Sequence, residues 1–261
     1  MHIDYVYPNV SELNRKGRGS LHSRHLLAEQ TGCSLVEMPA DLIKNKTECE
    51  LTGLTLGSFL GRQAIQFLYE SPEVPHDIKY VLHTEPSLPR TDGFGLNHQA
   101  QLKWYDQDWV NHLIQMIVSI SERLKAPSLA IEIHPGDRRN SHGDLIGACR
   151  EILARYGTAF GKTPQILLEN RTGQFISTGS ELADFWEALV GKPGSLADSV
   201  GIVLDIQQLF TVTGRDFGKQ FEMIPLEAIK GLHVHTRHRT PSLQDSIPWR
   251  MVTCPLTLYQ P

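Results

Sequence analysis

A (β/α)8 barrel is the fold class this sequence predicts, and three observations predict it. Strand-like and helix-like segments alternate at least from residue 78 to residue 235, which implies a parallel sheet. Seven strand candidates follow one another in a chain of 261 residues, close to the ~250 of a single barrel of this kind. Five of those strands close on a histidine or an acid: His83, His134, Glu169, Asp205, and His233 with His235. A carboxylate at the end of a buried strand needs a partner, because desolvating its charge is costly. In a barrel the strand C-termini meet at one face, where the active sites of this architecture lie.

Taken in order, Met1 to Pro8 reads as a first strand that ends at proline. A basic loop follows, with Arg15, Lys16, Gly17, Arg18 and Gly19. Leu21 to Gln30 reads as a short helix, and Cys33 to Met38 as a second strand with Glu37 near its end. Ser58 to Tyr69 has helical spacing, and Ile78 to His83 is the third strand. Residues 84–102 form a long loop rich in Pro and Gly, of a length usually functional or mobile. Asp106 to Lys125 is an amphipathic helix, with apolar residues at Trp109, Val110, Leu113, Ile114, Ile117, Val118 and Leu124. Ser128 to His134 is the fourth strand, and His134-Pro135-Gly136 turns the chain. Leu145 to Tyr156 is a helix, Ile166 to Asn170 the fifth strand, and Ser180 to Leu189 a helix with Ser180 as its N-cap. Val200 to Asp205 and Ile229 to His235 are the sixth and seventh strands. Arg250 to Pro261, interrupted by Pro255, has room for one short strand but not for a strand and a closing helix. The barrel is therefore expected to be incomplete or irregular at its eighth unit, with residues 1–261 forming one domain.

Composition narrows the class. Hydrophobic residues make up 40% and charged residues 21%, the profile of an ordinary globular chain. No run of ~18 apolar residues predicts a membrane span, and nothing at the N-terminus reads as a secretion signal. Cys33, Cys49, Cys149 and Cys254 are scattered without a CxxC pair. They point to a reducing, cytoplasmic setting and away from a cysteine-based zinc site. A net charge of −4 excludes a generally basic nucleic-acid coat but not a local basic patch.

Side chains alternate faces along a strand. Glu132 and His134 therefore share a face, opposite Leu129, Ile131 and Ile133; His233 and His235 share one opposite Leu232 and Val234. The polar set points into the barrel mouth and the aliphatic set toward the outer helices. Imidazole and carboxylate together at His83, His134, Glu169, Asp205 and His233 suit a divalent metal, Zn first, with Mn or Fe as alternatives. Basic residues also follow the strands: Arg15, Lys16 and Arg18, then Arg138 and Arg139, Arg171, Arg215, Arg237 and Arg239. A positive mouth on an acidic protein would focus an anionic substrate, either a phosphorylated sugar or a nucleic-acid backbone. Phe94 and Trp104 are the aromatic candidates for stacking on bases.

Three motifs together carry a resemblance: Glu169-Asn170-Arg171-Thr172-Gly173-Gln174, Gly201 through Asp205 to Phe210, and Ile229-Lys230-Gly231-Leu232-His233-Val234. They resemble the endonuclease IV family (AP endonuclease family 2), within the xylose isomerase-like barrels. The similarity runs over roughly residues 78–240, and His83 and His134 fall where that family places its early metal-binding histidines. The resemblance implies a DNA-repair hydrolase, in which zinc-activated water cuts a phosphodiester beside an abasic sugar. His83, His134 and Glu169 would hold a first metal; Glu169, Asp205 and His233 would hold a second. Glu169 would act in catalysis, Arg171 or Arg237 would steady the phosphate, and His235 would donate a proton or support a ligand from behind. The chain departs from the family at Gln208, where the family has a histidine, and has no clear Asp-x-His after the seventh strand. His238 is a stand-in ligand there. One or two metals are expected rather than three. Val36-Glu37-Met38-Pro39 looks more like the sugar isomerase and epimerase relatives, so an isomerase using Glu37, Glu132 or Glu169 as acids is the alternative. A degenerate, non-catalytic barrel is the third reading. Oligomeric state is open.

Overall fold

The computed structural model describes residues 4–7, 21–41, 78–85, 88–89, 96–97, 102–191 and 194–234. The described elements are β1 (Val6–Tyr7), α1 (Leu21–Thr31), β2 (Leu35–Asp41), β3 (Tyr80–Glu85), β4 (Leu88–Pro89) and β5 (Leu96–Asn97). They continue with α2 (Gln107–Leu124), β6 (Ala130–Ile133), α3 (His142–Phe160), β7 (Gln165–Glu169) and α4 (Gly179–Val190). The last are β8 (Val200–Asp205), α5 (Ile206–Thr213), α6 (Phe217–Glu222) and β9 (Ile229–His233). Seven strands form one sheet in the order β1-β2-β3-β6-β7-β8-β9, every neighbouring pair parallel. Among the described residues no ladder joins β9 back to β1. The predicted helix Ser58 to Tyr69, the predicted final strand and the basic loop after β1 lie outside the described residues.

The sheet is curled, and side-chain distances show it. His83 on β3 and His233 on β9 are four strand positions apart, yet their ring centroids are 5.9 Å apart. In a flat sheet four strand spacings would separate them by ~19 Å. The concave face carries a small apolar floor of Val6, Leu35, Val81, Ala130, Leu167 and Val203, all buried. Residues two further along these strands are Glu37, His83, Glu132, Glu169 and Asp205, so strand parity sets a polar layer directly above an apolar one. The convex face belongs to a larger core in which Val36, Met38, Leu82, Ile131, Ile133, Ile166, Leu168, Ile202 and Leu204 pack with the helices. Leu129 departs from the expected pattern: it precedes the strand and is 49% exposed.

Local chemistry sets the helix boundaries. Asp106 caps α2 by accepting Trp109 N–H at 3.2 Å, and Lys125 ends it in the left-handed region at φ 54°. Ser141 and Asp144 form a capping box, so α3 begins three residues before the predicted Leu145 and runs to Phe160. Thr178, not Ser180, caps α4: it forms the capping box with Glu181, and Ser180 lies inside the first turn. Of the long Pro- and Gly-rich loop, β4 and β5 are described and pair antiparallel.

Candidate metal centre

The motif that begins at Glu169 assigns a separate task to nearly every residue. Glu169 ends β7 on the concave face with its side chain 2% exposed. Asn170 acts as an extra rung: its side-chain N–H donates to the Asp205 carbonyl at 3.1 Å, and its Oδ1 accepts Asp205 N–H at 2.8 Å. Thr172 N–H donates to Gln208 Oε1 at 3.1 Å, tying the loop to α5. Gln208, which stands where the resembled family has a metal-binding histidine, is thus a structural tie. Gly173 turns the chain at φ 80°, a region that Gly enters at no steric cost. Gln174 Oε1 accepts Gly136 N–H at 2.7 Å and joins this loop to the one that follows His134.

Three donor atoms converge above the apolar floor. His83 Nε2 and His134 Nε2 are 3.4 Å apart, His83 Nε2 is 3.3 Å from Glu169 Oε2, and His134 Nε2 is 3.0 Å from the same oxygen. The outer nitrogen of each ring is already engaged. His83 Nδ1 lies 2.5 Å from Glu37 Oε1, and His134 Nδ1 lies 2.7 Å from the Thr84 carbonyl. A carbonyl only accepts, so His134 Nδ1 carries the proton and its Nε2 presents a lone pair. Glu169 Oε2 is buried and receives no hydrogen bond. Ligands at ~2.0–2.1 Å from a tetrahedral ion stand ~3.3–3.4 Å apart, so the triangle has the size of one face of such a site. Histidines that hold a metal donate their other N–H to a carboxylate or carbonyl in this way. The donor set therefore fits a divalent cation.

A second group shares Glu169. His233 Nε2 is 3.3 Å from Glu132 Oε2, and His233 Nδ1 is 3.6 Å from Glu169 Oε2. The donor atoms of Glu132, Glu169 and His233 lie within 4.8 Å of one another, and Glu132 Oε2 likewise receives no hydrogen bond. Glu132 was expected on this face by parity but not among the metal ligands. Its position two residues before His134 was the available signal.

Proton affinities follow from this crowding. Burial lowers that of His83, but Glu37, Glu169 and Glu132 outweigh it and raise the imidazole well above its ordinary range. His233 is raised in the same way, with Glu132 and Glu169 overcoming burial. His134 is lowered, because burial, helped by Arg171 and His83, outweighs Glu169. Burial pushes Glu169 up, yet His134 and His233 hold it well below the usual carboxylate range.

Other predicted residues take separate places. Asp205 is buried and serves as the N-cap of α5, accepting Gln208 N–H at 2.9 Å. It belongs to neither candidate ligand group among the described residues. Arg171 stands at the rim, 29% exposed, with Nη1 3.6 Å from Glu169 Oε1 and 3.5 Å from His134 Nε2. Arg139 is paired with Asp137 and lies over the Tyr105 ring, so it is partly neutralised. Trp104 is no stacking platform: it is buried, and its Nε1 donates to the His134 carbonyl at 3.0 Å. His235, His238, Arg15, Lys16, Arg18, Phe94, Arg237 and Arg239 lie outside the described residues. No described helix is long and apolar enough to cross a membrane.

This arrangement is a curled, all-parallel sheet of the (β/α)8 kind among the described residues, and solved structures bear on that fold. A protein described as a candidate xylose isomerase from Rhodospirillum rubrum matches with a TM-score of 0.50 at 13% identity, over 91% of this chain and 77% of its own. At that identity the likeness establishes the fold alone. Two further matches are a xylose isomerase domain-containing protein from Salmonella typhimurium and an AP endonuclease of family 2 from Brucella melitensis. The Salmonella protein has a TM-score of 0.49 and 13% identity, over 100% of this chain and 80% of its own. The Brucella protein has a TM-score of 0.48 and 14% identity, over 89% of this chain and 80% of its own. No family model matches the chain, and comparison with curated proteins finds no match.

Proposed function

We propose that this chain is a metal-dependent hydrolase that cleaves a phosphodiester, with abasic-site DNA as the first substrate to test. The observation that carries the reading is the pair His83 and His134. Their outer nitrogens are committed to Glu37 and Thr84, and their inner nitrogens face each other and Glu169 Oε2 at 3.0–3.4 Å. His83, His134 and Glu169 would hold a divalent ion, Zn first. Such an ion supplies Lewis acidity and lowers the pKa of water toward neutrality.

The chain's own residues then have distinct roles. Glu37 and Thr84 fix the two ring orientations. The apolar floor closes the site from below. Arg171 is the cation at the rim, and its planar fork suits two phosphate oxygens. His235, predicted to share a strand face with His233, is assigned the proton transfer to the leaving oxygen. His238 is assigned as a further ligand on the basis of sequence alone.

A sugar isomerase or epimerase is the second reading. It is favoured by the further carboxylates on the concave face, Glu37 and Glu132, both buried. Acids placed so could move a proton beside a carbonyl. The deciding experiment measures metal content by mass spectrometry on protein purified without chelator, beside Glu169→Ala. The same preparations are then tested for nicking of an abasic-site duplex and for aldose–ketose exchange. Bound zinc or manganese that is lost in the variant, with nicking of the duplex, is the expected result. Sugar exchange without nicking would favour the second reading. Absence of metal after reconstitution would leave a non-catalytic barrel.

A further inference from the structure

We propose that Glu132, not Asp205, is the carboxylate that joins His233 and Glu169 in holding a second divalent cation. The proposal rests on the metal-site reading above and alters its ligand set, because the resemblance assigns the second position to Glu169, Asp205 and His233. Glu132, Glu169 and His233 are all buried and bring their donor atoms within 4.8 Å of one another. Glu132 Oε2 faces His233 Nε2 at 3.3 Å but accepts no hydrogen bond, and its side chain is 2% exposed. A buried carboxylate needs a cation beside it; a protonated His233 meets that need here, and a divalent ion held by Glu132, Glu169 and His233 would take the place of that proton. Glu169 Oε2, in the first group, likewise accepts no hydrogen bond.

Asp205 is held differently. Its carboxylate caps α5 through Gln208 N–H, and its own N–H and carbonyl are both clamped by the Asn170 side chain. This anchors the residue to the start of a helix, outside both candidate groups among the described residues. Glu132 comes from β6, adjacent to β7, and is reached by His233 only because the sheet curls. Glu169 is common to both groups, and a carboxylate shared in this way is the usual link between two ions. Imidazole with carboxylate suits zinc or manganese.

The test uses the full chain stripped with chelator and dialysed to equilibrium against Zn(II) or Mn(II), with bound metal counted by mass spectrometry. Two equivalents are expected in the wild type, one in Glu132→Gln, and two in Asp205→Asn, which keeps a capping oxygen. Two equivalents in Glu132→Gln, or one in Asp205→Asn, would overturn the proposal. One equivalent in the wild type, lost in His134→Gln and untouched by Glu132→Gln, would leave the first site standing and refute the second. No bound metal would refute both. Circular dichroism checks the fold of each variant. Should Glu132→Gln unfold, Asp205→Asn still decides between the two carboxylates, since one equivalent there would overturn the proposal; in the wild type saturated with Mn(II), paramagnetic resonance should show a spin-coupled pair, and isolated-ion signals would refute the second site.

Discussion

Glu37 belongs to neither candidate ligand group among the described residues, yet its removal should weaken the proposed metal binding. Its Oε1 lies 2.5 Å from His83 Nδ1, and both side chains are largely buried, at 11% and 12% exposed. The carboxylate holds the Nδ1 proton in place, so that Nε2 points toward His134 and Glu169, and it makes the ring a more basic donor. Loss of such an outer partner typically costs 10–100-fold in metal affinity, or about 1.4–2.7 kcal/mol. Glu37→Ala should fall in that range, because the Nδ1 proton loses its buried acceptor. Glu37→Gln keeps an acceptor oxygen without the charge and should fall nearer tenfold. The assay is competition for Zn(II) against a chromophoric chelator at constant pH. Thermal melting of each metal-free variant accompanies it, since leaving a buried N–H unpaired also destabilises by about 1–3 kcal/mol. Wild-type affinity in both variants, with the fold intact, would refute the proposed role of Glu37 and weaken the assignment of His83 as a ligand.

Two further predictions test the site's surroundings. In chelator, the metal-free protein should lose stability as pH rises above 6.5, the ordinary histidine value. His83 and His233 are raised well above it, so the stability their protons confer is fully present below 6.5 and is lost as pH climbs through the folded values. Glu169 is lowered from 4.5, so its contribution is present above 4.5 and is lost as pH falls through the folded value. His134 is lowered and acts in the opposite sense below 6.5. Melting temperature across pH 5–9 reads the balance, and a steady rise from pH 6.5 to 8 would contradict it. Gly136→Ala should destabilise the chain by roughly 2–4 kcal/mol, the combined cost of a left-handed Ala and an overpacked site. Gly136 sits at φ 77°, where an added Cβ would meet the Leu102 carbonyl oxygen at 2.2 Å. Urea unfolding measures this, and a wild-type midpoint would show that the turn after His134 can relax.

Much of this was legible in the sequence because strands have a two-residue period. That period alone places Glu132 with His134, and His233 with His235, on one face of their strands, opposite the aliphatic residues. It could not show which of them meet. Asp205 and His233 are register partners on adjacent strands, yet the side chain that faces His233 Nε2 is Glu132, three strand positions away. Only curvature of the sheet brings those two together, and curvature is a property of the packed whole. Capping is partly legible: the sequence puts Asp106 at the start of its helix, where it caps, whereas Thr178 takes the place of Ser180 because the capping box with Glu181 satisfies two backbone groups at once. Gln208 was visible as a departure at a ligand position, but its hydrogen bond to Thr172 belongs to the folded loops. The sequence by itself determined the alternation, the parity and the donor types, since these depend on neighbours along the chain. The tertiary structure alone decided which donors converge, which carboxylate is committed to a helix end, and which buried oxygens face histidines without accepting a hydrogen bond. Those outcomes depend on distances across the concave face that no local rule encodes.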